Sequence, residues 1–291
     1  MIDLKFVNSK GDIMPAVQNQ YMTLIDAEEL HGVDNEFASS TSPYFDGDYV
    51  DHVRTNPRNI TLTYALKTPI EESLKYFNSL VKSKQKATLI EIREDGSEIS
   101  IEGLITVPPY TRWVESTSIQ IQLYCSKPYW SDLETIIEDI GLVLDMHYFP
   151  FEDVTALQNL DGGLAFPEEG IPFGEIDTNM TKGFTNNGDV SVGMTIEIVA
   201  LGEVENPRIS LVGSTDYITV NTKLNSGDFI IINTEKGNKS IQKNGVEVYD
   251  EIEYGGDDWL QLPTGYSELT ITATSGSGNM YFNVYYKQGW Q

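Results

Sequence analysis

Short segments in which apolar and polar residues alternate with a period of two recur along this chain. Ile60-Thr61-Leu62-Thr63-Tyr64, Thr88-Leu89-Ile90-Glu91-Ile92, Ile99-Ser100-Ile101-Glu102-Gly103-Leu104 and the triplet Ile119, Ile121 and Leu123 all show it in the first half. Successive side chains of a strand point to opposite faces, so each segment predicts a strand with one buried face. Glu94-Asp95-Gly96-Ser97 is a turn sequence between the second and third segments, which predicts a hairpin. From Asn186 onward the pattern continues. Met194-Thr195-Ile196-Glu197-Ile198 alternates, and Asn225-Ser226-Gly227-Asp228 precedes the apolar run Phe229-Ile230-Ile231-Ile232. Asn244-Gly245 marks a tight turn, and Leu269-Thr270-Ile271-Thr272 and Met280-Tyr281-Phe282-Asn283-Val284-Tyr285 come last. Short strands at this spacing predict a β-sandwich.

One segment has the helical period instead. Ile70, Leu74, Phe77 and Val81 form a single apolar stripe, and Thr68-Pro69-Ile70-Glu71 predicts the start. In that reading Thr68 is the cap, Pro69 takes the first helical position, and Glu71 closes a capping box. Residues 131–183 differ from both flanks. They hold one basic and 12 acidic residues and are punctuated by Gly and Pro, as in Phe166-Pro167-Glu168-Glu169-Gly170-Ile171-Pro172. They read as a connector lying along protein surface. Within them Leu133, Ile136, Ile137 and Ile140 fit a short helix and a strand equally well. A length of 291 residues suits two domains. The expected organisation is mainly β: a sandwich-like domain with one helix and a hairpin over 1–130, a connector over 131–183, and a second sandwich over 184–291.

Composition then narrows the function. The formal charge is −25, from 44 acidic and 19 basic residues, a surface that repels phosphate backbones, so no DNA binding is expected. Within 1–130 the run Lys82, Lys84 and Lys86 is the one candidate for a basic strip, and it reads as a solvated segment after the helix. No run approaches the roughly 18 apolar residues of a membrane span, so no membrane insertion is expected. Met1-Ile2-Asp3-Leu4-Lys5-Phe6 reads as a strand rather than a secretory signal, which implies synthesis in the cytosol. The single cysteine, Cys125, lies in the apolar run Ile121-Gln122-Leu123-Tyr124-Cys125 and reads as a small core residue.

Candidate chemistry is sparse. His31, His52 and His147 are scattered, with no pair at metal-ligand spacing. Asp46-Gly47-Asp48 and Gly255-Gly256-Asp257-Asp258 offer hard oxygens, but neither builds a helix-flanked calcium loop, and Asp-Gly pairs are ordinary turn chemistry. Tyr129, Trp130, Trp259, Tyr266, Tyr281, Tyr285, Tyr286 and Trp290 are candidates for a sugar-stacking platform, against a core reading of the same aromatics. The expectation is no enzyme, and no catalytic, cofactor-binding or metal-binding residue.

The order of several segments carries a resemblance. Arg58-Asn59-Ile60-Thr61-Leu62, the helix, Ile101-Glu102-Gly103 and Gln122-Leu123-Tyr124-Cys125-Ser126-Lys127-Pro128-Tyr129-Trp130 stand in the first part. Phe184-Thr185-Asn186-Asn187-Gly188-Asp189, Glu205-Asn206-Pro207-Arg208-Ile209, Asn225 to Thr234, Lys243-Asn244-Gly245 and Trp259-Leu260-Gln261-Leu262-Pro263-Thr264-Gly265 follow in the second. Taken together the chain resembles the siphophage distal tail proteins (Dit) of the phage tail protein family.

That resemblance implies a structural subunit of a phage or prophage-derived tail tip, located at the distal end of the tail in the virion. It implies a homo-oligomer, a hexameric ring built by the N-terminal domain, and a galectin-like C-terminal sandwich facing outward. Implied partners are the tail tube protein, a tail-associated hub protein and receptor-binding proteins. The long insertion that adds carbohydrate-binding modules in larger members of the family is not found here. The rival from another class is a carbohydrate-binding β-sandwich protein, and a third is a glycoside hydrolase built on a sandwich.

Overall fold

The alternating segments place β-branched and aromatic residues where a pleated surface packs best, and each one forms a strand. The computed structural model describes residues 3–41, 43–44, 46–108, 118–140, 143–144, 175–176, 180–256 and 259–291. The chain divides into two compact units. One comprises Met1–Thr135 with Gly188–Val190 and Lys287–Gln291, and the other comprises Ile136–Asn187 and Ser191–Tyr286.

The first unit is built on a nine-stranded antiparallel sheet. Its main path runs Ile13–Pro15, Asp3–Asn8, Lys86–Ile92, Glu98–Thr106, Ser118–Cys125, Arg58–Leu66, Met22–Glu28. The expected hairpin is present, Ile92 opposing Glu98 and Leu89 opposing Ile101. Its turn is held by Asp95, whose Oδ1 accepts the Ser97 hydroxyl at 2.7 Å and the Ser97 N–H at 2.9 Å. The apolar positions of the alternating segments, among them Ile60, Leu62, Tyr64, Leu89, Ile119, Ile121 and Leu123, form one core.

The helix runs Ile70–Leu80, and its stripe faces this core. Phe77 is fully buried, Val81 nearly so, and Ile70 and Leu74 are half-buried against it. The start differs from the capping box read in the sequence. Pro69 itself is the cap residue, with extended backbone, and no side chain caps the helix. The helix therefore begins one residue later than expected, which leaves the Thr68 hydroxyl exposed and outside the first turn. Ser73 supplies the tether instead: its buried hydroxyl donates to the Lys67 carbonyl at 2.7 Å. Glu71 and Glu72 still place negative charge at the N-terminal end of the helix dipole.

The second unit stacks two antiparallel sheets over one core. The six-stranded sheet runs Ile136–Ile140, Met280–Tyr286, Met194–Ala200, Phe229–Asn233, Ser240–Lys243, Val246–Glu247. The five-stranded sheet runs Thr181–Asn186, Gly265–Thr272, Arg208–Leu211, Tyr217–Val220, Ile252–Gly255. Inward positions from both sheets, such as Ile196, Ile198, Ile230 and Phe282 on one and Phe184, Ile209, Ile218 and Ile271 on the other, make a single buried cluster. The Asn244-Gly245 turn has positive φ at both residues, 50° and 81°, as a two-residue hairpin with the twist of its strands requires.

Two segments fall outside the boundaries drawn from composition. Ile136–Ile140, within the expected connector, is an edge strand of the second unit, paired along its length with Met280–Tyr286. That settles the helix-or-strand ambiguity, with Ile140 buried and Ile137 outward. The last residues of the chain belong to the first unit. Gly289–Trp290 pairs with Trp130–Asp132, Trp290 Nε1 donates to Asp132 Oδ1 at 2.7 Å, and the Arg93 guanidinium lies 4.1 Å over the Trp290 ring. A half-buried indole with both a carboxylate and a cation to hold it draws this terminus onto the first sheet. Most of the expected connector, from 145 to 174, lies outside the described residues.

Candidate assembly surface

The alternation rule finds strands with a buried face, and among the described residues one hairpin has none. Asn35–Thr41 and Asp48–Thr55 form a hairpin of the first unit in which every described side chain except Thr55 is exposed. Glu36 opposes Arg54, Phe37 opposes Val53, Ser39 opposes Val50 and Ser40 opposes Tyr49, with a bulge after Ala38. Among these exposed residues are large apolar ones: Phe37 is 62% exposed, Tyr49 60% and Val50 58%. Tyr44, in the turn beyond the strands, is more open still. Two strands alone are marginal in water, and bare edges with apolar side chains are a template for association.

The base of this arm is the opposite of bare. Arg58 and Trp130, both buried, donate to the same Leu30 carbonyl at 2.8 and 3.0 Å. Asn59 N–H donates to Glu29, and Asn56 bonds Asp34 through backbone and side chain alike. Thr55 Oγ1 donates to Asn35 and shares a 3.0 Å hydrogen bond with the Tyr129 hydroxyl. His31 Nε2 lies 3.4 Å from the buried Glu91 carboxylate. A clamped root under a solvent-exposed arm fixes its direction while leaving its surface available. Burial lowers the Arg58 pKa from its ordinary value, and Cys125, Glu29 and Tyr129 nearby oppose that shift.

The residues singled out from the sequence are dispersed. His31 belongs to the arm's root, His52 to the arm itself, and His147 lies outside the described residues. Asp46 and Asp48 stand at the arm's turn, while Asp257 and Asp258 lie outside the described residues. The aromatics do not gather into a platform. Trp130 is in the core of the first unit and Trp290 packs on it, whereas Trp259 and Tyr286 are buried in the second. Tyr281 and Tyr285 are half-buried on the Met280–Tyr286 strand, Tyr285 donating to Glu197 at 3.1 Å. Tyr266 is exposed and donates to Glu268. Cys125 is buried, and desolvation pushes its thiol up to about 11, which keeps it protonated and unreactive. Lys82, Lys84 and Lys86 are exposed after the helix, Lys86 pairing with Glu102 at 3.3 Å.

The arm itself carries no alternation of the kind that marks a half-buried strand. The one local sign is Asp46-Gly47-Asp48, a turn sequence, and the stretch before it, Asn35–Thr41, holds only Phe37 and Thr41 as strand-favouring residues.

Comparison with known proteins adds likeness to geometry. Residues 187–290 match the family described as siphovirus-type tail component, C-terminal domain. The whole chain is similar in fold to the crystal structure of the Dit protein of SPP1, described as a paradigm of the hub adsorption apparatus in phages infecting Gram-positive bacteria. The TM-score is 0.63 at 13% identity, over 99% of each chain. A component of the phage p2 baseplate in its activated conformation aligns with a TM-score of 0.45 at 10% identity, over 98% of each chain. No curated protein matches the chain. The resemblance to the distal tail proteins and the mainly β fold are borne out.

Proposed function

We propose that this chain, whose residues 187–290 match a siphovirus-type tail component, is a structural subunit of the tail tip of a phage or prophage-derived particle. In this reading the first unit assembles into a ring, a hexamer, that joins the tail tube to the hub and host-adhesion apparatus. The second unit is a galectin-like sandwich that faces outward. The work is mechanical: the chain holds parts together and catalyses nothing. Its place is the distal end of the tail, and receptor-binding proteins attach at its side.

The observation that carries the reading is the family match over 187–290, and the exposed arm supports it from the other unit. A ring of identical copies needs a heterologous contact, one patch on each copy meeting a different patch on the next. An arm with a rigid root and exposed Phe37, Tyr49, Val50 and Val53 is suited to reach across to a neighbour. Its free backbone edges can extend a partner's sheet while these side chains lose water.

Negative-stain microscopy and mass measurement across concentration, alone and with tail tube and hub proteins, test this. Ring particles of uniform size are expected, strengthened by the tail partners. Changing Phe37 and Val53 together to Ser removes apolar surface that the isolated fold does not bury, so the fold survives and the rings do not. A chain that stays monomeric under all these conditions, or rings indifferent to that double change, would sink the proposal for the arm.

A further inference from the structure

The outward face of the five-stranded sheet carries a feature that the assembly reading does not use. Register places Thr272 opposite Arg208, Arg208 opposite Thr219, and Thr219 opposite Glu253. These four side chains therefore form one row across four strands, about 14 Å from end to end at ordinary strand spacing. The alternate positions Ile209, Ile218 and Ile271 point into the core, so the row points out. Asn206, Asn221, Thr274 and one apolar residue, Ala273, stand beside it, and together they line a groove of about 340 Å³.

The groove is held in shape by its own contacts. The Arg208 guanidinium lies 3.7 Å over the Tyr217 ring, and the Tyr217 hydroxyl donates to Glu253 Oε1 at 2.8 Å. That hydrogen bond to a carboxylate raises the Tyr217 pKa and keeps the phenol protonated. The ring lies across Gly255, where an added Cβ would collide with it. Asn206 donates to the Thr274 hydroxyl at 3.2 Å. Cation, aromatic ring, carboxylate and amide are thus fixed relative to one another before any ligand arrives.

The lining decides what fits. A guanidinium offers a fixed fork of donors, a carboxylate only acceptors, and hydroxyls and amides offer both. An apolar ligand would strand all of these groups without water. An anion meets Glu253 and a chain of net charge −25, and a cation meets Arg208. What remains is an uncharged ligand with several adjacent groups that donate and accept at once. Vicinal hydroxyls on a sugar ring have this property, and a length near 14 Å accommodates more than one ring.

We infer that this groove, lined by Asn206, Arg208, Thr219, Asn221, Glu253 and Thr272, binds a neutral saccharide. It does so on the outer face of the sandwich's own sheet and needs no inserted module. The inference is independent of whether the chain forms rings.

The test is a titration of the full chain, by calorimetry and NMR, with methyl glycosides and short oligosaccharides of galactose, glucose, mannose, rhamnose and N-acetylglucosamine. Glucuronate and inorganic phosphate serve as the charged probes. At least one neutral saccharide should bind saturably, more tightly than either anion. Arg208→Lys, which keeps the charge and loses the fork, and Glu253→Gln should each weaken it about tenfold, the loss of one charge-assisted hydrogen bond. Lys236→Ala, in the turn between Phe229–Asn233 and Ser240–Lys243, should leave it unchanged, and thermal unfolding of all three variants should match the parent. Saturable binding by no neutral saccharide overturns the inference, as does tighter binding of glucuronate or phosphate. Binding that survives both groove substitutions does so too. A chain that forms rings yet binds no sugar refutes this inference alone and leaves the tail reading standing.

Discussion

Replacing Phe77 with Ala should open the first unit selectively. The ring is 0% exposed and roofs the sheet core, so its removal forfeits transfer free energy and leaves a cavity that the sheet beneath cannot fill. For a fully buried phenylalanine that costs about 3–5 kcal/mol. Leu74, half-buried on the same stripe, should cost roughly half as much on truncation. Because the chain has two units, a single denaturation curve mixes their transitions. Native-state hydrogen exchange separates them. Amides of Lys86–Ile92 and Arg58–Leu66 should exchange roughly a hundred to several thousand times faster in Phe77→Ala, at tenfold per 1.4 kcal/mol. Amides of Met194–Ala200 should keep their protection. An effect under about 1 kcal/mol on the first sheet would mean that the stripe is not buried. Equal loss in both units would mean that they do not unfold separately.

Other outcomes follow from particular contacts. Thr68→Ala should stay within about 0.5 kcal/mol of the parent by hydrogen exchange of the first sheet, since Thr68 caps nothing, while Ser73→Ala should cost about 1 kcal/mol. Cys125 should resist iodoacetamide at neutral pH until the chain unfolds. Its folded pKa is raised from 9.0 to about 11, so the fold prefers the thiol, and this contribution to stability is lost as pH rises across that window. A gel shift at low ionic strength should show no DNA complex. A salt-sensitive complex abolished by changing Lys82, Lys84 and Lys86 to Gln would refute that. For the proposed two-domain organisation, limited proteolysis should cut within 131–183 and spare 184–286, and cuts spread evenly through 184–286 would count against it.

What the sequence made legible is what burial writes into it. Ile60-Thr61-Leu62-Thr63-Tyr64 and Met194-Thr195-Ile196-Glu197-Ile198 alternate because one face of each strand is dry, and that same dryness gave the helix its stripe at Ile70, Leu74, Phe77 and Val81. Turn chemistry was equally readable at Asn244-Gly245, where the backbone needs left-handed residues. Helix capping was not. Thr68 and Ser73 are both hydroxyl residues within reach of the first turn, and a shift of one residue in the start decides which of them bonds backbone. Strand pairing over long separation was illegible too. Gly289–Trp290 could be placed beside Trp130–Asp132 only through contacts formed by residues far apart in the chain.

The candidate surfaces were hidden for a related physical reason. Phe37 and Val53 oppose one another on a hairpin with no buried face, so neither strand had to alternate, and nothing in the local pattern separates such an arm from a loop. The groove is hidden differently. Arg208, Thr219, Glu253 and Thr272 are single polar residues on four strands, each the ordinary outward partner of an apolar neighbour. Only the register turns them into a row, and register is fixed by the inward set: a slip of one residue would bury Arg208 and expose Ile209. The hydrophobic core therefore specifies the polar groove, and Ala273, which packs on that core, also lines it. A core substitution that kept the strand but loosened its register, such as Ile209→Ala, should accordingly weaken the groove before it unfolds the sandwich.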